Sequence, residues 1–180
     1  ASLEQYHKRF AEFDKEDAEN MPAPGCTVFA GSSSITGWKL IPEDFQDVNA
    51  INRGFGGAIL PQWLLMVDRY IIRYKPARVV FYCGENDIAR KHSPATVRDN
   101  LETLLEQIHT ALPETEIYFV SLKPSPSRWK LWPAMTEANR LCKELCDRLP
   151  HATYVDVSEG MLGENGEPRK DIFRDDNLHM

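Results

Sequence analysis

The sequence predicts a three-layer α/β domain, a parallel sheet with helices on both faces, and two observations predict it. Apolar runs of strand length alternate with segments of helical period. The runs are apolar at consecutive positions, as strands buried on both faces are. At 180 residues the chain is long enough for one sizeable core and short for two, so it reads as a single domain over 1–180.

The elements follow in order. Residues 2–19 carry an amphipathic period and read as an outer helix, and the turn NMPAPG completes an N-terminal segment, 1–24, that packs on the domain. TVFAG, 27–31, is the first strand, and DVNA, 47–50, is a weak second one. Leu60, Leu64, Val67 and Ile71 then recur at threes and fours, with Pro61 in the first turn of a helix. RVVFYCG, 78–84, is the third strand, and Val97, Leu101, Leu104, Leu105, Ile108 and Leu112 line the next helix. EIYFVSL, 116–122, is the fourth strand. Leu131, Met135, Ala138, Cys142, Leu145 and Leu149 form another helical stripe, and TYVDV, 153–157, is the fifth strand.

Composition narrows the partners. A formal net charge of −6, with no block of Lys and Arg, argues against nucleic acid and anionic membrane surfaces, and favours a small-molecule substrate. No apolar run reaches the roughly 18 residues that cross a bilayer, so no stable membrane insertion is expected. The start, ASLEQYHKRFAEF, has no apolar signal-peptide segment. The chain as given therefore reads as cytoplasmic, with a periplasmic or secreted location the alternative if a leader has been removed. Cys142 and Cys146 lie four apart on a helix and Cys83 lies inside a strand, which favours free thiols, and no CxxC pair points to zinc. The GSSS loop lacks the spaced glycines and lysine of a phosphate cradle, so a nucleotide-binding reading is disfavoured and no cofactor is expected.

Parallel sheets bind ligands beyond the carboxyl ends of their strands, so the residues after each strand are the candidate site. These are Gly31-Ser32-Ser33-Ser34, NRGFGG (52–57), Gly84-Glu85-Asn86-Asp87, KPSPSRW (123–129) and, across a loop, DIFRDDNLHM. Acyl transfer needs what four of these places carry: a hydroxyl, unobstructed backbone amides, a side-chain amide, and an Asp with a nearby His. A serine hydroxyl needs a base to take its proton, and a histidine serves well when a carboxylate fixes its tautomer. Asp176 and His179, three apart, meet only if the segment turns, which DDNLH can do. Gly56 and Gly57 leave backbone N–H groups uncovered, and Asn86 adds its amide.

FAGSSSIT, NRGFGG, GEND and DDNLH, in that order and spread over nearly the whole chain, resemble the signature blocks of the SGNH (GDSL-type) hydrolase family. The resemblance implies a flavodoxin-like fold with a central five-stranded parallel sheet. It implies Ser33 as nucleophile, through the match of Gly31-Ser32-Ser33 to the first block. An oxyanion hole follows from the Ser33 N–H, the Gly57 N–H and the Asn86 side chain, with His179 as base and Asp176 as its partner. Ser32 stands where the family has Asp, and Ser32 and Ser34 are the alternatives to Ser33. The family usually continues past the histidine with a final helix, whereas this chain stops at Met180.

The activity expected is that of a serine esterase working through an acyl-enzyme, on short-chain esters or as an O-deacetylase, because no cap or lid insertion is present to bury a long chain. Lysophospholipase-like activity and a non-catalytic binding module of the same fold are the alternatives. His92, in ARKHSP, is the rival base, and Asp87 reads as a loop holder. Arg53, Phe55 and Trp129 are candidate substrate-binding residues. Lys123 and Arg128 bind a carboxylate or sugar hydroxyls in one reading and sit at a solvated surface in the other. Trp38, Trp63 and Trp132 line a cleft or pack the core. FRDDNLH with Asp171 also has the composition of a metal cluster; a solvated loop is the commoner meaning, and no metal is expected.

Overall fold

β-Branched and aromatic side chains fit a pleated, buried surface, and the four longer runs rich in them become four of the five strands of the sheet. The computed structural model describes residues 2–180. The strands are β1 (Thr27–Gly31), β2 (Ala50–Asn52), β3 (Arg78–Tyr82), β4 (Glu116–Val120) and β5 (Ala152–Val155), in the spatial order β2-β1-β3-β4-β5. Every pair is parallel: Thr27 lies opposite both Ala50 and Arg78, Arg78 opposite Glu116, and Ile117 opposite Ala152. This is the flavodoxin-like order, with its switch point between β1 and β3.

Parallel neighbours need crossover connections. Helices α2 (Ser33–Gly37) and α3 (Ile41–Asp44) join β1 to β2, and α4 (Leu60–Tyr70) joins β2 to β3. Helices α5 (Glu85–Ala89) and α6 (Pro94–Ala111) join β3 to β4, α7 (Trp132–Arg148) joins β4 to β5, and α1 is His7–Glu19, ahead of β1. Helix α6 starts as its sequence directs, with the Ser93 hydroxyl accepting the Thr96 N–H (3.1 Å) and Pro94 in the first turn.

The helices are unequally shared between the two faces. Alternation along the strands sends Val28, Ala30, Val79, Phe81, Ile117 and Phe119 to one face, where they form the main core with α4, α6, α7 and Phe10 and Phe13 of α1. The other face packs Phe29 and Tyr82 against Ile35 and Ile41 of the short α2 and α3. Val80, Tyr118 and Val120 are half-buried there. The predicted layers are present, one thick and one thin.

The second strand lies later than its sequence signal. Residues 46–48 form a 3-10 turn, Asn49 takes a left-handed φ of 45°, and pairing with β1 begins only at Ala50. An edge strand of three residues leaves little apolar pattern to read. The four cysteines are free and buried. No helix among the described residues is long and apolar enough to cross a membrane.

Candidate active site

Strand β1 ends at Gly31, whose φ of 143° lets the chain turn hard against β3. A Cβ at this position would lie 2.0 Å from the Tyr82 carbonyl oxygen, so only glycine fits. The Ser32 N–H then donates to that carbonyl (3.0 Å), which pins the turn and sends Ser33 out at the start of α2. Ser32 is buried, whereas the Ser33 hydroxyl faces the cleft.

The Ser33 Oγ lies 2.9 Å from His179 Nε2, and His179 Nδ1 lies 2.6 Å from Asp176 Oδ2. The three side chains thus form one hydrogen-bonded line, although 146 residues separate the serine from the histidine. The Asp–His spacing works through an Asx turn: Asp176 Oδ1 accepts the N–H groups of Leu178 and His179, both at 2.9 Å, and Asn177 takes a left-handed φ of 56°. Those two N–H groups and the imidazole hold the Asp176 carboxyl well below the usual carboxylate range. It is ionised whenever the histidine can act as a base.

After β2, the loop 53–57 lies against the start of α2. A Cβ at Gly54 would collide with Thr36 N at 2.7 Å, and one at Gly56 would touch the Ser33 Cβ at 3.8 Å. Gly57 has φ 78°, and Arg90 Nη2 donates to its carbonyl (3.2 Å). The N–H groups of Ser33 and Gly57 donate to no other residue among those described. After β3, Asn86 is 9% exposed and its Nδ2 donates to the Ala58 carbonyl (3.0 Å), next to the glycine loop.

A cleft of about 740 Å³ opens beside Ser33 and His179, bounded by Trp38, Lys39, Leu40 and Arg174 among others. Its walls mix an indole and a leucine with two cations, both of them without an ion-pair partner among the described residues.

Three residues expected to bind substrate lie elsewhere. Arg53 is 3% exposed, and its guanidinium is consumed by Asp17 (2.6 Å), Glu16 (2.9 Å), the Tyr74 hydroxyl (2.9 Å) and the Asn52 carbonyl (3.0 Å). Phe55 is fully buried between Tyr6, Phe10 and Trp63. Trp129 stacks on Trp132 with ring centres 6.1 Å apart, outside the cleft walls. Trp63 is core, and its indole N–H donates to the Gly31 carbonyl (3.3 Å). Trp38 alone of the indoles lines the cleft.

The remaining candidates sort by their partners. His92 faces Asp87 at 3.3 Å and makes no contact with a serine hydroxyl. Asp87 is fully buried, and its carboxylate accepts the Leu60 N–H at the start of α4; burial pushes its pKa up. His109, on α6, and His151, just before β5, stack at 3.7 Å and are not among the cleft walls. Asp171 pairs with Arg169 (2.8 Å), and no group of three metal-ligating side chains converges among the described residues.

Sequence reasoning passed over Glu85, which turns out to organise this side of the site. Lys123 Nζ (2.7 Å), Arg128 Nη1 (3.0 Å) and the Tyr82 hydroxyl all donate to its carboxylate, and Arg128 Nη2 reaches Asn86 Oδ1 (3.0 Å). Lys123 and Arg128 therefore point inward, away from any carboxylate or sugar in solvent. The available signal was the adjacency of an acid to the Asn86 amide, with two cations after the next strand.

The profile of the GDSL-like Lipase/Acylhydrolase family matches residues 23–180. Among solved structures, the chain is similar to a candidate platelet activating factor from Streptococcus pneumonia: 20% identity over 99% of this chain and 86% of that one, with a TM-score of 0.86. It is similar to a GDSL-like lipase from Bacteroides thetaiotaomicron, at 24% identity over 94% and 89% of the two chains and a TM-score of 0.73. An acetylxylan esterase from Geobacillus stearothermophilus, solved as a catalytic mutant, shares 13% identity over 88% and 87%, with a TM-score of 0.68. No curated protein matches in sequence.

Proposed function

The chain belongs to the GDSL-like lipase/acylhydrolase family and is an esterase of that kind, and from that premise we propose that it hydrolyses short-chain carboxylic esters through an acyl-enzyme on Ser33. The observation that carries this is the continuous line from Ser33 Oγ to His179 and Asp176, at 2.9 and 2.6 Å. In the proposed reaction Ser33 Oγ bonds to the ester carbonyl carbon while its proton passes to His179 Nε2. The carbonyl oxygen gains the negative charge and takes hydrogen bonds from Ser33 N–H, Gly57 N–H and Asn86 Nδ2. Collapse breaks the bond to the leaving alkoxide, which receives the proton from His179. Water, deprotonated by His179, then attacks the acyl carbon; collapse breaks the bond to Ser33 Oγ, which takes the proton back from His179, and the acid is released. Asp176 stays ionised throughout and holds the imidazole with Nε2 toward the serine.

The preference for a small acyl group rests on the open cleft, which offers Trp38 and Leu40 as apolar wall, with no cap among the described residues to enclose a long chain. The acetylxylan esterase among the fold neighbours makes acetyl esters the first class to try. We read the whole chain as one catalytic domain.

Fluorophosphonate labelling with peptide mapping tests the reading, on the native chain and on Ser33→Ala. Label confined to the peptide carrying Ser33, and absent from Ser33→Ala, is expected. Label on Ser32 or Ser34, or none at all, overturns the assignment. A turnover series over acetyl, butyryl and palmitoyl esters tests the acyl size, and a palmitoyl preference would replace the short-chain reading with a lipase-like one.

A further inference from the structure

Asn86 has one neighbour that only donates and one that only accepts. Arg128 Nη2 donates to its Oδ1 and its Nδ2 donates to Ala58 O, both at 3.0 Å. A guanidinium has no acceptor and a carbonyl has no donor, so rotating the amide by half a turn converts two hydrogen bonds into two repulsive contacts. The amide therefore has one orientation. It keeps Nδ2 on the side of the glycine loop, where Gly56 lies beside Ser33, with a second N–H hydrogen to spare.

Arg128 is itself fixed from behind. Its Nη1 sits on Glu85 Oε1 at 3.0 Å, and the other Glu85 oxygen accepts from Lys123 Nζ at 2.7 Å. The side chains of Glu85 and Lys123 are 4% and 3% exposed, and that of Arg128 is 21% exposed. Burial, and the Glu85 carboxylate beside it, push the Tyr82 phenol well above its ordinary value, so it remains a neutral donor. Two cations thus face one carboxylate, and the guanidinium of Arg128 lies against the amide oxygen. A charged donor on Oδ1 polarises the amide and strengthens its N–H groups as donors.

We propose that Arg128 is a positioning residue of the hydrolysis, which fixes the orientation and the polarity of the Asn86 amide through the 3.0 Å contact to Oδ1. The inference rests on the esterase reading above. An oxyanion exists in the transition state and not in the bound ester, so Arg128 acts on kcat and leaves KM alone. Its contribution passes through Asn86 and vanishes when that amide is gone.

The experiment is a double-mutant cycle on an acetyl ester with Arg128→Met, Asn86→Ala and the pair, each checked by thermal melting. Asn86→Ala should cost about 10²–10³ in kcat. Arg128→Met should cost roughly tenfold or more in kcat with KM within about twofold, and less than about twofold further when Asn86 is already alanine. Arg128→Lys, which restores a cation without the guanidinium fork, should recover part of the loss. The same comparison runs on Arg128→Gln, which keeps a neutral donor, should the Met variant not fold. Equal losses in both backgrounds overturn the proposal, as does a KM rise at constant kcat, which would put Arg128 on the substrate. The reading of the reaction fails separately: an active, labelled Ser33→Ala would refute the esterase site whatever Arg128 does.

Discussion

The buried ion pair that takes Arg53 away from the substrate yields a sharp prediction. Asp17 and Arg53 side chains are 2% and 4% exposed and meet at 2.6 Å, and the Asp17 carboxylate also accepts the Tyr74 hydroxyl at 2.6 Å. Replacing Asp17 by Ala leaves a buried guanidinium with only Glu16, which is 54% exposed, as a counter-charge. Breaking one side of such a pair costs about 3–5 kcal/mol, because the remaining charge is stranded. Arg53→Met should fall at the lower end, since Arg73 stands 3.7 Å from Asp17 and can move in. The pair Asp17→Leu with Arg53→Met should be more stable than either single variant, because neither charge is stranded. Urea unfolding followed by circular dichroism gives the stabilities, and initial rates on an acetyl ester give KM. Unchanged stability with a raised KM in Arg53→Met would refute the structural account and return Arg53 to the substrate.

Three further outcomes follow from the same geometry. Asp176→Asn should lower kcat by about 10⁴, because the imidazole loses its orienting acceptor. The folded pKa of Asp176 lies below its unfolded value, so its contribution is present above the unfolded value and is lost only as pH falls through the folded one. It therefore adds no proton to the acid limb of kcat/KM above the ordinary carboxylate range, and that limb should show a slope of one; a slope of two would refute this. Gly31→Ala should destabilise by about 3 kcal/mol or more, since its Cβ meets backbone and not a side chain that can move. An unchanged melting temperature would contradict the placement of that turn.

The fold was legible because each of the four longer strands is a continuous apolar run, and because parallel sheets require helices between them. The edge strand β2 was misplaced by three residues, since three half-buried positions carry almost no pattern. The groups brought to Ser33 were legible for a different reason: they follow strands, and strand ends in a parallel sheet converge. Arg53 and Phe55 show where that rule stops. Both follow β2, but the backbone turns at Gly54, which lies too close to α2 for any side chain, and both side chains fall back under α1. Strand order and direction can be inferred from pattern; which way one residue points within a loop depends on contacts made by a helix some 40 residues earlier in sequence, such as Arg53 with Asp17.

KPSPSRW is the one strand end that supplied no group for acyl transfer, and the structure gives it a task of another kind. Pro124 and Pro126 restrict φ along this stretch, and Ser125 is buried. From this stiffened loop Arg128 reaches Asn86 on one side (3.0 Å), and the Ser127 N–H donates to the Asn177 carbonyl on the other (3.1 Å). Asn177 is the left-handed residue of the turn that brings Asp176 onto His179. That turn has no regular secondary structure around it and closes on itself through Arg174 N–H to His179 O (2.7 Å) and Asn177 N–H to Arg174 O (2.8 Å). Two neighbouring residues of one loop thus tie Asn86, the proposed oxyanion donor, to the turn that carries His179, the proposed base. A half-exposed Asp–His turn would be a poor platform for proton transfer by itself, since reacting groups must be held to within a fraction of an ångström. The hydrogen bond from the loop after β4 braces it, so a segment with no reacting atom touches both the proposed oxyanion donor and the turn of the proposed base.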